Sequence, residues 1–409
     1  MKNTDDNKDI KFMQLRALCM IAKCGTISSA ADNLFRTQSA VTRSLRDLEH
    51  ILAAQLFERH SSGMLLTRAG LRVLPRAQRA IHELHHIPAS LTRYKQREGS
   101  RDEAEPVWLF NVRRLQIFLR LFQLHHTQSV ASSLGISQPA VSAALKILEK
   151  GAGIPLFQRT PRGMMPSAAA REMAPYISRA LTEIRHLPED LSEQDGKLQG
   201  TVHVGALPLC RNALLPRAII RLVTAHPAVK VVTNESAFSS LITGLRAGDI
   251  DLILGALRRD DSMPDIDNRV LFTEELVLLA RPQHPLIGKK LTPADLTSTQ
   301  WVLPRDNSPA RHLLDRAFQT SGMTAPTPVV ESGDLAVVRG LLLNADMVAA
   351  VSSHQLEYEL RAGILQQLTF SLPNTRREIG LTLRHGALHS PATLALIECI
   401  NAEVRTDAL

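Results

Sequence analysis

The sequence predicts an all-α winged helix-turn-helix in two tandem copies, followed by an α/β region of two lobes. Three observations carry that prediction. Val41, Leu45, Leu48 and Leu52 recur at helical spacing as one apolar stripe, while Ser39, Thr42, Arg43 and Arg46 share the other face with no bulky apolar group. The pattern then recurs at an offset of one hundred residues without a gap, and 23 of the 80 positions from 12 to 91 are identical to their partners. From Gly200 onward the pattern changes to short β runs alternating with helices.

In chain order, Phe12 to Cys24 predicts an opening helix whose Phe12, Leu15, Leu18, Cys19 and Ala22 pack beneath the helix-turn-helix. Ser28 to Leu34, rich in small residues, is the first helix of that motif, and Thr37 suits an N-cap for the second. Short hydroxyls and guanidinium groups on the outer face of the second helix are the donors that meet phosphates and base edges in a DNA groove. The run LFERHSSGMLLT reads as two strands around a Gly turn, a wing, on which Arg59 either holds a phosphate or pairs with Glu58 or Glu49. Leu71 to Leu91 is a longer amphipathic helix with Val73, Ala77, Ile81 and Leu84 as a pairing stripe.

That helix contains His82-Glu83-Leu84-His85-His86, which formally matches a zinc-hydrolase pattern. The second copy has Thr182 in place of the first His and no third ligand is evident, so a charged helix surface explains these residues; no metal, cofactor or catalytic group is expected. Tyr94 to Pro106 is polar and mixed in charge, hence a linker. In the second copy, Ser137 to Pro139 open the recognition helix and Gly135 is free to turn left-handed. The groove-facing set there is Pro139, Ser142, Ala143 and Lys146, so Arg43 has become Ala143. Glu189 to Gly200 is the second linker. The remaining chain predicts strand Thr201–Ala206, helix Leu214–Ala225, strand Val229–Asn234, helix Phe238–Ala247 and strand Asp251–Leu254 in a mainly parallel sheet. A second such set runs from Leu276 to Val351, and the chain returns to the first through Glu378–Leu383 and Pro391–Ile400.

Composition bounds the rest. A chain of 409 residues with 44% hydrophobic and 22% charged residues has room for two or three ordinary globular domains. Lys and Arg outnumber Asp and Glu by 27 to 19 over residues 1–195 and balance at 21 each beyond, so the net charge of +8 sits in the duplicated half. The first copy is the more basic: 16 cations against 9 anions in residues 1–100, and 11 against 10 in 101–195. Four cysteines (Cys19, Cys24, Cys210, Cys399) form no CxxC pair, and no apolar run reaches membrane-spanning length, from which a cytoplasmic protein is expected.

Taken together, the residues resemble the LysR-type transcriptional regulators over nearly the whole chain. The pattern from Ala30 to Arg59, the Thr67–Gly70 run, and downstream Gly205, Leu214-Leu215-Pro216, His226-Pro227, Gly248 to Leu252, His284-Pro285, Asp295-Leu296 and Trp301 carry the likeness. It implies a linker helix behind each winged domain and a type 2 periplasmic-binding-protein-like effector domain. The expected boundaries are 10–70, 71–94, 95–107, 108–170, 171–195 and 198–405, with lobe 1 at 198–275 and 370–405 and lobe 2 at 276–369. The implied partners are double-stranded promoter DNA, a small-molecule effector and further copies of the chain as a dimer or tetramer, with RNA polymerase left open as another and no membrane.

By matching position, the DNA-reading residues are Thr37, Gln38, Ser39, Thr42, Arg43, Arg46 and Arg59, then Ser137, Gln138, Pro139, Ser142 and Lys146. The effector site is expected at Leu207, Pro208, Leu209, Cys210, Ser236, Pro304, Asn307, Ser308, Ser332 and Ser352, on loops that follow strands. Arg305 and Arg311 are candidates to grip a carboxylate, against a solvated helix face for Arg311, and Cys210 lines the pocket or senses oxidants. The run Trp301 to Arg311 is similar to a subgroup responding to sugars or aromatic acids. The tandem domain departs from the family, which has one such domain and pairs it between subunits. Two readings stay open: the linker helices pair within one chain and occupy two half-sites, or copy two is a spacer or dimerisation surface, the reading that Ala143 favours.

Overall fold

A computed structural model describes residues 10–61, 63–94, 105–192, 198–258, 263–306 and 308–407. It divides into two compact units: residues up to Gly200 with the short segments Arg246–Asp249 and Leu388–Ala392, and the remainder.

The first unit repeats one plan twice. Copy one is α1 (Phe12–Cys24), α2 (Ile27–Asn33), α3 (Gln38–Leu52), the hairpin β1 (Phe57–His60) and β2 (Gly63–Leu66), then α4 (Arg68–Leu91). Copy two is α5 (Val112–Leu124), α6 (Thr127–Leu134), α7 (Gln138–Ala152), β3 (Phe157–Thr160), β4 (Gly163–Pro166) and α8 (Ala168–Ser192). The apolar stripe of α3 is buried as its periodicity requires, at Val41, Leu45, Leu48 and Leu52. Identities between the copies have local reasons. Glu49 accepts the backbone N–H of Leu56 at 2.8 Å, and Glu149 accepts that of Leu156 at 2.9 Å, fixing the entry to each wing. Gly63 and Gly163 sit at φ +128° and +108°, where a Cβ would lie 2.5 Å from the carbonyl oxygen of Gly25 or His125, so only glycine lets the wing close onto the end of the first helix.

α4 and α8 lie antiparallel, with a continuous core through both copies. Val73, Ala77, Ala80, Leu84, Ile87 and Leu91 are buried on α4, as are Met173, Ala174, Ile177, Ala180 and Leu187 on α8. The predicted linker from 94 to 106 lies, apart from Tyr94, Glu105 and Pro106, outside the described residues. The second predicted linker begins too early: Glu189 to Ser192 are the last turn of α8, where Asp190 is held by Arg76.

The second unit contains two five-stranded sheets. Its elements are β5 (Gly200–Ala206), α9 (Leu214–Ala225), β6 (Val229–Asn234), α10 (Phe238–Ala247), β7 (Leu252–Ala256), β8 (Ile266–Glu274), β9 (Leu276–Ala280), α11 (Pro293–Thr297), β10 (Gln300–Leu303) and α12 (Pro309–Thr320). The chain continues through β11 (Val330–Glu331), α13 (Leu335–Asn344), β12 (Met347–Ser352), α14 (Glu357–Arg361), β13 (Gln366–Gln367), β14 (Arg377–Arg384) and α15 (Pro391–Asp407). The strand orders are β6-β5-β7-β14-β8 and β11-β10-β12-β9-β13. The expectation of mainly parallel sheets needs correction: β5 with β7, and β10 with β11 and β12, are parallel, but β14 runs antiparallel to both β7 and β8, and β9 to both β12 and β13. Among the described residues no helix is long and apolar enough to cross a membrane.

Candidate DNA-reading heads and effector cleft

The head of copy one starts from a helix N-cap. Thr37 accepts the N–H of Ala40 at 3.3 Å and lies 3.0 Å from the Ser39 hydroxyl, which sets the start of α3. Gln38 donates through Nε2 to Ser28 at 3.0 Å, tying the two helices of the motif; in copy two Gln138 donates to Thr127 at 2.9 Å. Thr42 is half-buried and donates to the Gln38 carbonyl at 2.8 Å. Ser39, Arg43 and Arg46 lie on the outer side of α3, away from the buried stripe, and Arg59 is exposed on β1. Glu49 accepts the backbone N–H groups of Leu56 and Phe57 through one carboxylate oxygen. In copy two Ser137 makes no side-chain cap bond and Pro139 fills the first turn instead, while Gln138 and Lys146 are exposed and Ser142 is half-buried.

Two features were not evident from the helical pattern. Phe35, in the turn between α2 and α3, is 94% exposed with φ +52°, a left-handed backbone for a bulky residue, where copy two has Gly135 at +63°. The wing of copy two carries Arg159 and Arg162, both exposed, so loss of a cation at Ala143 is offset by one at the wing tip. The charge of Arg162 was the available signal. The zinc-like pattern is explained differently: Glu83 pairs with Arg179 at 2.8 Å, and His82 and His86 contact each other at 2.8 Å.

The cleft of the second unit encloses about 300 Å³. Of the expected residues Leu207, Pro208, Leu209, Pro304, Ser308 and Ser332 line it. Cys210, Ser236 and Ser352 do not, and Asn307 lies outside the described residues. Cys210 ends the short turn Pro208–Cys210 and is fully buried; burial, and then the charge of Glu274, push its thiol up, which removes the thiolate an oxidant sensor needs. Ser352 is also fully buried, its hydroxyl donating to Glu274 and accepting the N–H of His354. Ser236 is exposed in the loop after β6. Arg311 is neither solvated nor in the cleft: it is buried, 2.9 Å from Asp315 and 3.1 Å from Asp306. Arg305 is exposed and does not line the cleft.

The cations that do line the cleft are Arg258 and Arg377. Arg377 is paired with Glu274 at 2.5 Å. Arg258, just beyond the carboxyl end of β7, stacks 4.0 Å over the Phe238 ring, and partial burial lowers its pKa. Ser308 caps α12 there, accepting the Arg311 N–H at 3.2 Å. Most of the remaining wall is apolar, including Ala256, Leu257, Leu313, Val338 and Val351.

Family models fit the chain in three places. That described as the LysR substrate binding domain matches residues 195–405, and that described as the bacterial regulatory helix-turn-helix protein, lysR family, matches 12–71 and again 112–171. The HTH-type transcriptional regulator GalR of Pseudomonas putida is 52% identical over 97% of this chain and 98% of its own. The chain belongs to the LysR family. As a LysR-type transcriptional regulator, and not an enzyme, it joins a DNA-reading front half to an effector-binding domain. The HTH-type regulator PcaQ of Agrobacterium fabrum, 28% identical, covers 66% of this chain and 88% of its own. Among solved structures, a full-length OxyR variant of Pseudomonas aeruginosa superposes with a TM-score of 0.54 at 22% identity over 72% of this chain and 97% of that one. CbnR complexed with its target DNA superposes with a TM-score of 0.52 at 19% identity, covering 71% and 99%. These two share the fold of this LysR-type chain.

Proposed function

We propose that the chain is a cytoplasmic promoter-binding regulator, working as a dimer or tetramer, whose cleft takes a small aromatic carboxylate. The observation that carries the ligand class is the cleft itself: largely apolar walls with few hydrogen-bonding groups, flanked by the Arg258 guanidinium and the Ser308 cap. An apolar slot buries a ring, and a guanidinium beside it meets a carboxylate. A sugar would instead ask for polar partners around its whole rim. Ligand closure of the two lobes would then bias the arrangement of heads on the promoter, with RNA polymerase as the reader of that change.

The test is a thermal-shift screen of the intact protein against benzoate, hydroxybenzoates and sugar acids, repeated with Arg258→Ala. A ligand at about a hundred times its Kd adds roughly 2.7 kcal/mol, or several degrees for a domain of this size. A shift with aromatic acids that Arg258→Ala removes supports the reading. A shift with sugar acids alone moves the class to sugar acids, and no shift from either panel leaves a ligand-independent regulator.

A further inference from the structure

The helices α4 and α8 are matched to each other and mismatched to themselves. Their antiparallel packing has an approximate twofold relation: Arg79 bonds Glu183 at 3.1 Å, and the equivalent residues one hundred positions away, Arg179 and Glu83, pair at 2.8 Å. Those two pairs survive in any combination of the helices. The rest do not. Arg76, 1% exposed, donates to both carboxylate oxygens of Asp190 at 2.6 and 2.9 Å and to Glu183 at 2.7 Å. The equivalents of Arg76 and Asp190 in the other copy are Tyr176 and Ser90. At the far end Arg93 pairs with Glu172, whose equivalent on α4 is Arg72.

Two chains could instead pair like helices. A pair of α4 helices in this register sets Arg93 against Arg72 and gives Arg76 Ser90 in place of Asp190, with Glu83 as its one remaining carboxylate. A pair of α8 helices sets Tyr176 against Asp190, a buried carboxylate deprived of its guanidinium, and leaves Glu183 with one guanidinium in place of two. Opposite charge across one combination and like charge or an unmet ion across the others is how helices choose partners. A tether of about a dozen residues adds an effective concentration in roughly the millimolar range to that preference.

We infer that the chain closes on itself as a complete two-headed DNA-binding unit, and that it addresses double-stranded DNA carrying two dissimilar half-sites, one for each recognition helix. The heads differ where it counts: Arg43 and Arg46 on α3 stand against Ala143 and Lys146 on α7, and the wing of copy two adds Arg162. Copy two is a second reader and not a spacer.

Two measurements on the full chain test this. With Arg93→Cys and Glu172→Cys introduced together, and the single-cysteine parents as controls for native thiols, a short bis-maleimide is expected to yield a product of one chain, 45.1 kDa, with altered mobility. A product of twice that mass as the main species overturns closure within the chain. Selection from random duplexes is expected to enrich a composite of two different motifs. Arg43→Ala is expected to abolish enrichment of one motif and Lys146→Ala with Arg159→Ala that of the other. A repeated single motif lost whole in Arg43→Ala, or a composite untouched by the copy-two changes, overturns the two-reader assignment.

Discussion

Phe35 occupies a left-handed turn that L residues with bulky side chains avoid, and its ring makes no compensating burial. Phe35→Gly is therefore expected to raise stability by about 0.5–1 kcal/mol, the strain relieved less the extra freedom glycine gains when unfolded. The denaturation midpoint of the intact protein checks it, and a drop would show that the ring is held. Arg43→Ala is expected to weaken operator binding by roughly 1–3 kcal/mol where the guanidinium reads a base; an unchanged Kd removes Arg43 from the reading set. At this scale the sequence was informative where a period fixes direction. Ser39, Arg43 and Arg46 face outward because the apolar stripe of α3 must face inward. Cys210, Ser236 and Ser352 sit on turns or strand ends, where no period tells which neighbour points into a cleft, and Glu274 captures the Ser352 hydroxyl from a strand 78 residues earlier.

Elements depend on partners that a single segment does not reveal. The amphipathic stripe of α4 announced a helix in need of another, but both an internal and an external mate satisfy it. Arg76 favours the internal mate only when Asp190 and Glu183 are seen opposite. Burial alone would lower the Arg76 pKa, and the bonds and charge of Asp190, then of Glu183, outweigh it and raise it. Arg76→Ala leaves the buried Asp190 carboxylate without its guanidinium and Glu183 with Arg79 alone, and is expected to cost about 3–5 kcal/mol. Chemical denaturation of the full chain measures this; a loss below about 1 kcal/mol would mean that water replaces the guanidinium with little penalty. The strand order was similarly hidden, since β14 and β9 read as ordinary strands and only their neighbours show that they run against the parallel set.

For the whole molecule, the division of labour was legible from charge: the excess of cations falls entirely in the duplicated half. Promoter affinity should accordingly fall steeply with salt, and replacing Arg46 by Ala is expected to reduce the slope of log Kd against log salt by about one, for the phosphate left without its cation. Titrations at several salt concentrations check it, and an unchanged slope would place Arg46 away from the phosphates. A regulator assembled from identical subunits displays every codon of its DNA-binding domain at both heads, so one nucleotide change alters both at once. Here α3 and α7 are separately encoded, and a mutation that retunes one head leaves the other as it was. The two halves of the operator are thereby free to drift independently, each tracked by its own helix.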